Sequence, residues 1–234
     1  MKLESIINFF DRESPEATEF RRLYSNLIGL NGQLKTIMIT SSTVEEGKSI
    51  ISSFLAITTA EITGKKVLLL DTDLRRPMVN VFFKLPLENG FSDMLESRAK
   101  IPDMLKPTPI PELKIITAGK LKGSPTALLQ PMRMAEIFEE LKFYFDFIIV
   151  DSPPIIPVSD PLLIASHVDG VLVIVRAGAT PREVAKRAIN LLQNSKIKIL
   201  GTVLNNIDEV LPYYYSSKYY AYKYYHKRDS KLQN

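Results

Sequence analysis

An apolar run that ends in Ser41-Ser42-Thr43-Val44-Glu45-Glu46-Gly47-Lys48-Ser49 leaves a chain few folds to choose from. Thr36-Ile37-Met38-Ile39 reads as a strand, and the residues from Ile50 onward read as a helix. A strand, a tight loop with Gly-Lys-Ser and a helix together cradle nucleotide phosphates. Backbone N–H groups of the loop and of the helix's first turn point at the phosphates, and the helix dipole adds partial positive charge. Lys48 would reach β- and γ-phosphate oxygens, and the Ser49 hydroxyl would sit on Mg²⁺. Ser42 stands where the usual pattern begins with Gly, and the competing reading is a polar turn with a surface lysine.

The rest of the chain repeats the alternation. Residues 1–35 read as a helical lead-in. Ser14-Pro15-Glu16 starts the helix, Phe20, Leu23, Leu27 and Leu30 lie on one face, and Asn31-Gly32 ends it. The helix after the loop runs to Ile62 and stops at Gly64. Lys66–Leu70 and Phe147–Val150 are continuous apolar strands of the kind buried on both faces of a parallel sheet. Leu113–Thr117, Val168–Val175 and Ile197–Leu204 are further strands. Short and long helices are expected at 90–96, 126–144 and 181–192, with Leu128, Leu129, Met132, Ile137, Leu141 and Tyr144 buried in the second. Residues 102–111 read as a proline-rich surface loop. The alternation predicts a doubly wound, mostly parallel α/β sheet with helices on both faces and its ligand site beyond the strand C-termini.

A chain of 234 residues, 45% hydrophobic, can bury one α/β core over residues 36–211. It has no cysteine and two histidines, which leaves no thiolate site and no ready histidine metal site. The longest apolar runs are too short to span a bilayer, and Met1-Lys2-Leu3-Glu4 opens no apolar signal region, so a cytoplasmic protein is expected.

Two strands deliver acids to the edge that carries the loop: Asp71 and Asp73 from one, Asp151 from the other. Each follows an apolar run, where an unpaired aspartate is costly. Turn or cap roles are the alternative for any one of them. Together with Gly-Lys-Ser they indicate a nucleotide and Mg²⁺ site, with Asp151 and Asp73 on Mg²⁺ and Asp71 near the γ-phosphate.

On these residues the sequence resembles the bacterial tyrosine autokinases of capsule and exopolysaccharide synthesis, within the MinD/ParA-like branch of P-loop NTPases. Ser42–Ser49 matches the family's Walker A motif, Val67–Pro77 its Walker A′ motif, and Phe147–Pro154 its Walker B motif. The resemblance implies ATP on Thr43, Val44, Glu45, Glu46, Gly47, Lys48, Ser49 and Ile50, with Asn205 at the adenine. It implies Lys48, Asp71 and Asp73 as catalytic residues, and Ser49, Asp73 and Asp151 as Mg²⁺ partners. Val44-Glu45 replaces the family's usual Pro-Gly and brings a negative charge to the phosphates. Of the family's Glu-x-x-Arg-x-x-Arg oligomerisation helix, aligned at Thr18, Arg21 and Tyr24, only Arg21 is kept, with Glu19 and Arg22 as a possible shifted version. A homo-oligomer, a transmembrane polysaccharide co-polymerase that activates the kinase at the inner face of the membrane, and a protein-tyrosine phosphatase are the partners the resemblance implies.

Eight of the ten tyrosines lie in the last stretch: Tyr213, Tyr214, Tyr215, Tyr219, Tyr220, Tyr222, Tyr224 and Tyr225. From Pro212 onward five positive residues face Asp229 alone, an excess of four that equals the chain's net charge of +4. Residues 212–234 therefore read as a mobile basic tail on a neutral domain. A sticky low-complexity end, base stacking and attachment to an anionic membrane are open alternatives. The resemblance makes the tail a phosphorylation substrate, in which three phosphotyrosines would overturn its charge, and no nucleic acid is expected as partner. The tyrosine hydroxyl would attack the γ-phosphate in line, with Asp71 as base and the acceptor supplied in trans by a neighbouring subunit. A MinD- or ParA-like ATPase switch without kinase activity is the alternative. A metal-cluster carrier of the same fold lacks the cysteines it would need.

Overall fold

In a computed structural model, residues 5–30, 34–97 and 99–206 are described. The expected helix stop at Asn31-Gly32 and the whole tail, its eight tyrosines included, lie outside the described residues.

Seven strands form one sheet: β1 Thr36–Ser41, β2 Val67–Asp71, β3 Lys106–Pro107, β4 Leu113–Ile116, β5 Phe147–Asp151, β6 Gly170–Arg176 and β7 Ile199–Asn205. Their order is β3-β4-β2-β5-β1-β6-β7, and every pairing is parallel except β3 with β4. β1, β2 and β5 are buried along their whole length, as continuous apolar strands require. Alternate residues serve the two faces. Met38, Leu68, Leu70, Ile148 and Val150 meet Met134, Ile137 and Phe138 on one side. Ile37, Ile39, Leu69 and Ile149 meet Leu27, Leu55 and Ile57 on the other. The chain leaves β1 toward β2 on one side, and β6 lies on the other. The order thus reverses at β1, and a crevice opens beyond its C-terminal end.

The lead-in helix α1, Pro15–Leu30, is capped by the Ser14 hydroxyl oxygen, which accepts the Ala17 N–H at 3.1 Å. It packs on α2, Lys48–Thr63, with the Phe20 and Phe54 rings 5.6 Å apart. Leu30, expected on the buried face, is exposed. Gly64 ends α2 in the left-handed conformation. The helix expected near Gly90 forms at Phe91–Glu96 (α4); α9, Arg182–Asn194, precedes β7.

The expected single helix over 126–144 is two: α6 Pro125–Leu128 and α7 Pro131–Tyr144. Pro131 has no N–H to continue the ladder and forces Gln130 into extended backbone, so α7 restarts in a new phase. Met134, Ile137, Phe138 and Leu141 then face the core, whereas Met132 and Tyr144, expected inside, face solvent. The 102–111 segment is no simple surface loop. Ile101–Met104 forms a helical turn (α5), Lys106–Pro107 pairs with β4, and the Lys106 ammonium donates to the Asn89 carbonyl at 2.7 Å. Two further helices, α3 Val79–Phe83 and α8 Asp160–Ala165, are too short to show a periodic signal in sequence.

Candidate active site

The loop between β1 and α2 folds around Glu46. Its buried carboxylate accepts the backbone N–H of Ser42 at 2.7 Å and of Thr43 at 3.2 Å, and the Thr43 hydroxyl at 3.2 Å. The Thr180 hydroxyl, beyond β6, donates to the same carboxylate. Asn205, at the end of β7, donates its side-chain amide to the Glu46 carbonyl at 3.0 Å. Gly47 then enters α2 at φ +91°, where a side chain is strained, and a Cβ there would lie 2.1 Å from the Asn205 amide nitrogen and push it off the Glu46 carbonyl. Glu45 also sits in the left-handed region, at φ +64°, a conformation that costs a side chain about 1 kcal/mol.

Aspartates reach this loop from the neighbouring strands. Asp71 and Asp151 are register partners on β2 and β5, both fully buried. Both Asp71 oxygens are engaged, by the N–H of Asp73 at 3.0 Å and of Val79 at 3.2 Å. Burial, then the facing charge of Asp151, holds the Asp71 carboxyl well above the usual carboxylate range. Burial raises Asp151 as well, against the charge of Lys48. One Asp151 oxygen accepts the Ser52 hydroxyl at 3.0 Å, and the other is buried with no hydrogen-bond partner. Asp73 accepts the N–H groups of Arg75 and Arg76 on one oxygen and pairs with the Lys48 ammonium at 3.0 Å through the other. Burial pulls the Lys48 pKa down, but the carboxylates of Asp151, Asp73 and Asp71 together outweigh it and raise the pKa.

A cleft of about 970 Å³ opens over this edge. It is lined by Val44, Glu45, Gly47, Lys48, Ser49 and Ile50 of the loop and the start of α2. Asp73, Arg75, Arg76 and the apolar Pro77, Met78 and Phe82 from the segment after β2, and Pro153, Pro154, Pro157 and Val158 from the segment after β5, complete the lining. Arg75 is held by Asp160 of α8, its Nε 2.6 Å from one carboxylate oxygen, and Thr126 donates to the other at 2.7 Å.

Of the residues expected at the nucleotide, Val44, Glu45, Gly47, Lys48, Ser49, Ile50 and Asp73 line this cleft. Thr43, Glu46 and Asn205 lie behind it, because their polar groups are spent on holding the loop. Asp71, expected to face the incoming hydroxyl, is also behind it, with both oxygens turned to backbone amides. Asp160 and Thr180 were not legible from sequence. Each acts through a residue tens of positions away, and neither stands in a motif. Among the described residues no three acidic or histidine side chains converge on a metal by themselves. A Mg²⁺ ion that keeps water and phosphate oxygens needs fewer protein ligands. The unpartnered buried oxygen of Asp151, with the Ser49 hydroxyl at the cleft wall, suits such an ion.

A parallel sheet, a Gly-Lys-Ser loop at its switch point and aspartates from two neighbouring strands define a P-loop NTPase of the ParA/MinD-like kind. The family described as ParA, NUBPL iron-transfer P-loop NTPase, matches residues 33–229. Tyrosine-protein kinase CpsD of Streptococcus agalactiae is 34% identical over 213 residues, covering 91% of this chain and 90% of that protein. Tyrosine-protein kinase YwqD of Bacillus subtilis is 30% identical over 231 residues, covering 98% and 94%. The crystal structure of the chimerical protein CapA2B2 superposes with a TM-score of 0.80 at 29% identity, over 87% of this chain and 90% of that one. The chain belongs to the bacterial tyrosine-protein kinases, a branch of the ParA-like P-loop NTPases.

Proposed function

We propose that this chain is an ATP-dependent protein-tyrosine autokinase that phosphorylates its own tail tyrosines, Tyr213 to Tyr225, in trans, and so regulates capsular or exopolysaccharide synthesis and export. The observation that carries the reading is the Lys48–Asp73 ion pair on the lining of the cleft, with the buried Asp151 within electrostatic reach of Lys48. Lys48 exchanges Asp73 for γ-phosphate oxygens, and the α2 N-terminus and the loop amides hold the β-phosphate. The phenolic oxygen attacks the γ-phosphorus, the bond to the β–γ bridging oxygen breaks, and ADP leaves. Asp73, released by Lys48 and facing the cleft, takes the phenolic proton. Asp71 keeps the loop in place through its two backbone bonds. Mg²⁺, held by Ser49 and Asp151 with Asp73 alongside, would neutralise charge on the phosphates. The apolar Pro77, Met78, Phe82 and Pro154 of the cleft lining suit an aromatic ring.

By likeness to the capsule kinases, a homo-oligomer, a transmembrane activator and a tyrosine phosphatase complete the system. Among the described residues no helix is long and apolar enough to cross a membrane.

Mixing a chain that ends at Leu211 with full-length Lys48→Met tests the trans step. Phosphate on the Lys48→Met tail is expected. Phosphorylation of full-length wild type without any on the mixed Lys48→Met chain would confine the reaction to one chain.

A further inference from the structure

We propose that Glu45 is a specificity determinant of the acceptor side of the cleft, recognising a lysine next to the tyrosine to be phosphorylated. The inference rests on the phosphotransfer reading of the cleft. Glu45 is exposed, lines the cleft and is held there at φ +64°, where its own loop fixes the backbone through Glu46.

Two of the other charges on the cleft wall are already answered: Lys48 by Asp73, and Arg75 by Asp160. Among the described residues Glu45 takes part in none of the ion pairs. A carboxylate beside bound phosphate repels it, so the Glu45 charge does not help to hold the phosphates. Toward a basic acceptor the same charge is attractive. In the chain's own tail Lys218 directly precedes Tyr219, and Lys223 directly precedes Tyr224. An extended acceptor with its tyrosine ring against Pro77, Met78 and Phe82 carries the preceding side chain to the opposite side of the peptide. Glu45 lines the same cleft as those apolar residues. Charge complementarity therefore selects tyrosines that follow a lysine over those that follow another tyrosine or a serine.

The test uses two fluorescent peptides with the sequence of residues 214–226, one natural and one with Lys218 and Lys223 both replaced by alanine. Binding is measured by anisotropy, and kcat/KM by phosphate transfer from ATP. Wild type is expected to favour the lysine peptide about threefold, the scale of an exposed ion pair, with the preference fading at high salt. Glu45→Gln should erase the preference and Glu45→Lys should reverse it. An equal preference in wild type and Glu45→Gln would overturn the assignment. So would a Glu45→Gln effect confined to the KM for ATP, which would make Glu45 a nucleotide-affinity device instead. If wild type binds but does not phosphorylate either peptide, the kinase reading fails, and the anisotropy ratios still decide the role of Glu45.

Discussion

Lys48 holds the site together before any chemistry. It pairs with Asp73 directly and lies within electrostatic reach of Asp151 and Asp71, so its removal leaves the Asp73 charge unmatched on a sheet edge that holds two further acids. Lys48→Met is expected to abolish phosphotransfer and also to lower stability by about 1–3 kcal/mol, the cost of leaving a buried charged partner unmatched, readable by urea denaturation. The carboxylate pair gives the site a pH signature. Asp71 and Asp151 carry raised pKa values in the folded chain, so the native state keeps protons that the unfolded chain gives up above about pH 4. Their contribution to stability is full below that pH and is lost as pH rises through the folded values. Asp151→Asn removes one such group and eases the other. Its stability relative to wild type should therefore rise from pH 4 to pH 8, measured by denaturation at each pH. A constant difference would mean that the two aspartates titrate normally. Glu46 shows what single residues conceal. Its place in the Gly-Lys-Ser loop implied a phosphate-side role, but its carboxylate faces its own backbone and Thr180.

At the scale of elements, β1, β2, β5 and α2 were legible because each is long, apolar and bounded by a loop with one job. The short pieces were not. α3, α5 and α8 span four to six residues each and take their shape from what they pack on. The break between α6 and α7 was legible in principle, since Pro131 forbids a continuous helix. The apolar spacing on either side hid it. Arg75 is the clearest inter-element link. It fastens the turn after β2 to α8 through Asp160, which is buried and otherwise held by Thr126. Arg75 is itself partly exposed, so solvent screens the pair. Arg75→Ala should cost about 1–2 kcal/mol and raise the KM for acceptor more than that for ATP. Gly90 is the tightest backbone approach outside the loop. A Cβ there would lie 2.2 Å from the Thr117 carbonyl oxygen and 2.4 Å from the Gly119 nitrogen. Gly90→Ala should therefore destabilise by about 2–3 kcal/mol, seen as a lower thermal midpoint, while ATP binding in the surviving fold stays intact.

For the molecule as a whole, the sequence named the architecture because a parallel sheet writes itself as buried strands alternating with helices. It also named the chemistry, because the three motifs fall at three strand ends that the sheet order then sets side by side. Which carboxylate faces the cleft was beyond it, since that depends on where backbone amides of the turn after β2 point. The described body supplies a phosphate cradle, a lysine and an aspartate on a cleft wall, and the sequence supplies eight tyrosines at one end. The most direct test joins the two: phosphotyrosine mapping by mass spectrometry of the purified chain after incubation with Mg-ATP, beside Lys48→Met. Phosphate confined to residues 213–225 and absent from Lys48→Met is the predicted result. Steady ATP hydrolysis with no phosphotyrosine, even with the cytoplasmic segment of a candidate membrane partner present, would contradict it and make the chain an ATPase switch.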